Sequence, residues 1–116
     1  MKPPHLAQAI EAGPLVFVSG QLPFDAARSI SDATMGGQTT QALSNLRAVL
    51  AGLGLTPNDV VKTTVWLTDA SAFQAFNDSY AEFFGDHRPA RSTVISQLVL
   101  PLALVEIEAV ALRPVS

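Results

Sequence analysis

The run ALVEIEAVAL, from Ala103 to Leu112, alternates so regularly that a β-strand is its natural backbone. Successive side chains of a strand point to opposite faces. Ala103, Val105, Ile107, Ala109 and Ala111 therefore share one face, and Leu104, Glu106, Glu108, Val110 and Leu112 the other. Glu108 shares its face with the apolar Leu104, Val110 and Leu112, an unusual address for a carboxylate unless something charged or wet lies opposite. Arg91 to Leu98 alternates in the same way and puts Arg91, Thr93 and Ile95 on one face. Only a short proline-containing connection separates the two runs, so a cation opening one strand and a carboxylate within the next could face a common cleft. A plain alternative stands beside this. Arg91 and either glutamate would also make an ordinary rim ion pair, worth little to stability and nothing to chemistry.

Upstream, Leu6 to Ala12 reads as a short first strand bounded by the turn signal Gly13-Pro14, and Leu15 to Ser19 as a second that ends at Gly20. Pro23 to Gly37 is small, polar and aperiodic, and is expected to be a surface loop. Gly36-Gly37 lacks the lysine and spacing of a phosphate cradle. From Gln38 to Leu53, Ala42, Leu43, Leu46, Val49, Leu50 and Leu53 form the stripe of an amphipathic helix, with Gly54 placed to stop it. Asp59 to Thr68 is a β-branched strand whose Trp66 is expected at a sheet edge or a subunit contact. Asp69 or Ser71 then caps a second helix carrying Phe73, Phe76, Tyr80 and Phe83, ended by Gly85. Asn77 is rotated off that aromatic stripe and reads as a solvated helix residue.

The order β-β-α-β-α-β-β predicts an α+β two-layer sandwich: a single mixed β-sheet with two helices packed on one face. The other face remains apolar and needs a partner. Composition agrees, because 116 residues make one domain, and 48% hydrophobic against 15% charged is more apolar surface than a small monomer easily hides. Self-association sheet to sheet is the expectation. A net charge of −3 without a Lys/Arg cluster argues against nucleic acid or an anionic membrane as partner. The absence of cysteine removes disulfides, a thiol nucleophile and cysteine-based zinc sites. His5 and His87 lie far apart, are expected in exposed loops, and make a poor metal site. There is no G-x-S-x-G elbow and no dinucleotide fingerprint, so no metal and no cofactor are implied. Nothing resembles a signal peptide or a bilayer-spanning run, and a soluble cytoplasmic protein is expected.

RPARSTV from Arg88, followed by LVEIEAVA from Leu104, closely resembles the signature of the RidA/YjgF family of small enamine and imine deaminases. VFVSGQLP (Val16 to Pro23), DVVKTTVWLTD (Asp59 to Asp69) and FNDSYAEFF (Phe76 to Phe84) match the family in the same order. The resemblance implies a chorismate-mutase-like fold and homotrimers with ligand clefts between subunits. It implies hydrolysis of 2-aminoacrylate-like enamines and their imine tautomers to 2-oxo acids and ammonia, without a cofactor. Arg91 is then the carboxylate clamp, and Glu108 the group that places water or relays a proton. Ser19, Gly20, Asn77 and Thr93 complete the binding residues. Leu6 stands where many members have a tyrosine that closes over the substrate, and Thr93 where many have cysteine. The alternative from a different class is a non-catalytic trimer that binds small carboxylates such as 2-oxo acids through the same arginine.

Overall fold

The computed structural model describes residues 2–115. The alternating runs become strands β1 (Ala9–Ala12), β2 (Leu15–Gln21), β3 (Val60–Leu67), β4 (Ala90–Ile95) and β5 (Val105–Leu112). The amphipathic stretches become helices α1 (Met35–Gly52) and α2 (Phe73–Phe84), each preceded or followed by tight turns that include 3-10 segments at Pro57–Asp59 and Ala70–Ala72. One five-stranded sheet runs in the order β1-β2-β5-β3-β4. Its β3–β4 pair is parallel and the others are antiparallel, so the sheet is mixed as expected.

Both helices lie on one face. Ala42, Leu43, Leu46 and Leu50 of α1 are fully buried, in one cluster with Val16 and Val18 of β2 and Val105, Ile107, Ala109 and Ala111 of β5. Removing that much apolar surface from water is the main drive to fold. α2 adds Phe76, Tyr80 and Phe84, stacked along the helix with ring centroids 5.4 and 4.8 Å apart. Tyr80 also shares a buried 2.7 Å hydrogen bond with Thr63 of β3, which ties α2 to the sheet. Thr63→Val is expected to lower stability by about 1 kcal/mol in urea unfolding, because a buried phenol loses its partner while side-chain volume is kept.

Several boundaries differ from the periodic reading. Helix α1 starts at Met35 rather than Gln38, because Thr34 accepts a hydrogen bond from the Gly37 N–H at 3.1 Å and nucleates the first turn. Gly37 is required there: a Cβ would sit 1.8 Å from the Asp32 carboxylate that fixes Thr34. The first strand begins at Ala9 instead of Leu6, β4 stops at Ile95, and β5 starts at Val105. The connection between β4 and β5 is held instead by α1. Gln38, 1% exposed, donates to the Asp32 and Leu102 carbonyls and accepts from the Leu104 N–H, all within 2.7–2.9 Å. Trp66 is not at an edge; β3 is an interior strand, and the indole lies on the open face between its cross-strand partners Glu106 and Val94.

That open face is the apolar surface the sequence predicted. Phe17, Val94 and Leu112 are each more than 40% exposed, alongside Trp66 and Val110.

Candidate functional site

Strand register decides where the chemistry sits. β4 and β5 are not neighbours, since β3 lies between them. Arg91 pairs with Thr63, and Glu108 pairs with Thr64. Paired residues share a face, and consecutive residues of β3 do not. Arg91 therefore lies on the helix-covered face and Glu108 on the open one, so the two do not face a common cleft within one chain. α2 inserts as a crossover that makes β4 parallel to β3, and this places the arginine beneath the helix.

On the helix side, Arg91 is half-buried under α2. Its guanidinium carbon lies 4.7, 5.3 and 5.7 Å from the ring centroids of Tyr80, Phe76 and Phe73. Its Nη1 donates to Asn77 Oδ1 at 3.0 Å. Asn77 is thus a positioning contact for the arginine, where periodicity alone read it as a solvated residue. Thr93 pairs with Val65 and so shares the face of Arg91. The one ion pair among the described residues joins Arg113 to Glu11, so Arg91 has no carboxylate of its own. Aromatic faces stabilise the cation without consuming its donors, which remain available to an acid. A cleft of about 520 Å³ opens beside it, lined among others by Asn77, Tyr80, Phe84 and His87. His87 is half-buried there and not an exposed loop residue, because its Nε2 is held 2.7 Å from the Val60 carbonyl oxygen. Burial pushes the Tyr80 phenol above its ordinary pKa, against the opposing effects of the Thr63 hydrogen bond and the Arg91 charge.

On the open face a second group assembles. The β2–β5 pairing shifts register between Val18 and Gln21, which sets Ser19 and Gly20 in an irregular stretch. Ser19 Oγ donates to the Ala7 carbonyl at 2.5 Å and its N–H to that of Gln8 at 2.9 Å. Gly20 makes room for a carboxylate: a Cβ there would lie 2.1 Å from Oε2 of Glu106. Glu106, not Glu108, is the carboxylate packed against the Ser19-Gly20 backbone. It is half-buried and lines a cleft of about 220 Å³ with Trp66, Gln97 and Leu98, whereas Glu108 is exposed. Alternation placed both glutamates on this face but had no means of ranking them. The glycine opposite was the only usable signal.

Burial raises the Glu106 carboxyl above its ordinary pKa, and the Glu108 charge adds to this. A raised carboxyl costs the native state nothing while it is protonated in both states. The cost appears as pH rises through the ordinary carboxylate range of about 4 and is complete above the folded value. Glu106→Gln is therefore expected to raise the melting temperature at pH 7 and leave it unchanged near pH 3, measured by paired thermal melts.

Comparison with known proteins finds relatives along nearly the whole chain. The family model described as Endoribonuclease L-PSP matches residues 3–113. A RutC family protein of Pyrococcus horikoshii is 41% identical over 108 residues, covering 92% of this chain and 86% of its own. The 2-iminobutanoate/2-iminopropanoate deaminase of Escherichia coli is 35% identical over 109 residues, covering 91% and 85%. The crystal structure of E. coli TdcF with bound serine superposes with a TM-score of 0.88 at 33% identity, covering 98% of this chain and 91% of that one. A match over nearly the whole length, in sequence and in fold, shows that this chain belongs to the Endoribonuclease L-PSP family, which is the RidA/YjgF family.

Proposed function

We propose that this protein hydrolyses reactive 2-enamine and 2-imine acids of the 2-aminoacrylate type to 2-oxo acids and ammonia. The observation that carries the reading is Arg91: a half-buried guanidinium, oriented by Asn77 and three aromatic rings, facing a cleft and with no carboxylate paired to it among the described residues. An imino acid has a carboxylate one bond from its electrophilic carbon, and a planar fork is the best partner for that carboxylate. Water then adds to the C=N carbon, a proton moves to nitrogen, and ammonia leaves as the carbonyl forms. Glu106 suits the proton relay better than Glu108, because it is desolvated and held against Gly20. Arg91 and Thr93 lie on one side of the sheet, and Ser19, Gly20, Glu106 and Glu108 belong to the other. A complete site therefore brings the open face of one copy to the arginine cleft of another, which agrees with a homotrimer. The same contact covers Phe17, Val94 and Leu112.

The test is decay of 2-aminoacrylate generated by a serine or threonine dehydratase. Faster decay with the protein than with buffer is expected; equal rates would end this reading. A second reading, a trimer that only binds 2-oxo acids, is favoured by one observation. Leu6, where the family resemblance places a closing tyrosine, is 55% exposed and carries no hydroxyl. Binding of 2-oxobutyrate without any turnover would select it.

A further inference from the structure

Within one chain, the cleft beside Arg91 holds a second guanidinium. Arg88 lines the same opening, and no acidic residue among the described residues lines it. Arg88 is exposed and forms no ion pair among the described residues. The nearby acids are engaged or placed elsewhere. Asp78 accepts from Gln74 Nε2 at 2.7 Å, Glu82 lines the groove beside Arg47 and Phe83, and Asp86 is exposed outside the lining.

The cleft also abuts the C-terminal end of α2, through Tyr80, Ala81, Phe84 and Gly85. Bare carbonyls at a helix C-terminus would repel an anion. Here the Ala81 carbonyl accepts from the Gly85 N–H at 2.9 Å and that of Phe84 from the His87 N–H at 3.2 Å. Two of the terminal carbonyls are thereby engaged. Arg88 and Arg91 are three residues apart, so their Cα atoms are at most roughly 10 Å apart, and two long side chains can reach both ends of a short diacid.

We propose that this cleft selects 2-imino acids that carry a second, distal carboxylate. Arg91 takes the carboxylate beside the imine carbon and Arg88 takes the distal one. The chemistry rests on the deaminase reading above, and the binding preference can be measured without it.

The stable 2-oxo products serve as probes in titration calorimetry: 2-oxobutyrate with one carboxylate and 2-oxoglutarate with two. Wild type is expected to bind 2-oxoglutarate roughly tenfold more tightly, as a charge-assisted contact at a partly desolvated rim allows. Arg88→Gln should bring the ratio near one, and Arg88→Lys should keep most of it. Arg47→Gln, which removes a cation from the groove between the helices, should leave the ratio in place. A wild-type ratio near one, a ratio that survives Arg88→Gln, or one lost equally in Arg47→Gln would overturn the proposal. Tight, Arg91-dependent binding of 2-oxobutyrate with no preference for the diacid overturns the selectivity alone. Failure of both acids to bind also overturns it, and the 2-aminoacrylate decay assay then decides the deaminase reading separately.

Discussion

Arg91→Ala is expected to abolish the acceleration of 2-aminoacrylate decay, with kcat/KM falling by about a hundredfold or more. The size follows from what one bidentate guanidinium–carboxylate contact is worth when partly desolvated, on the order of 3 kcal/mol, at about 1.4 kcal/mol per tenfold. Arg91→Lys keeps the charge but loses the planar fork and the stacking over Tyr80 and Phe76, and should recover only part of the rate. Asn77 Oδ1, left without its donor, still faces an open cleft where water replaces it, so the fold should persist. Full activity of folded Arg91→Ala would remove the arginine from the mechanism.

The second large effect concerns stability. Gln38→Leu is expected to destabilise the protein by about 3 kcal/mol, or roughly ten degrees in melting temperature. The side chain is 1% exposed and meets three backbone groups: the carbonyls of Asp32 and Leu102 and the N–H of Leu104. Leucine has a similar volume but leaves all three without their partner, and a buried unmet polar group costs more than a hydrogen bond gains. Gln74→Ala, at an exposed position of α2, serves as the control and should shift stability by less than about 0.5 kcal/mol. The consequence reaches the open-face cleft, because the connection that Gln38 anchors also carries Gln97, Leu98 and Val99, which wall it beside Glu106. A melting temperature unchanged in Gln38→Leu would show that these contacts do not hold the connection.

The fold class and most elements were legible because they depend on local pattern. The stripe of α1, the aromatic row of α2 and the alternation of β5 each carry their period within a dozen or so residues, and burial follows that period. The starts and stops were less legible. Met35 to Gly37 read as loop because the stretch from Pro23 is small, polar and aperiodic, and the cap from Thr34 with the Asp32 contact starts the helix despite two glycines. Of the site residues, the resemblance pointed to Asn77, whose helical position alone had suggested solvent; Glu108 was singled out from its place among apolar residues of the strand, and Glu106 was not.

By itself, then, the sequence determined which side chains share a face along each strand or helix, the apolar excess left on one side of the sheet, and the family. Only the tertiary structure decided which faces coincide. Parity within a strand is local, but parity between β4 and β5 passes through their separate pairings with β3, at Thr63 and Thr64. A shift of one residue in either pairing would exchange the faces. That register sets Arg91 beneath α2 and both glutamates on the open side, and no spacing along the chain records it.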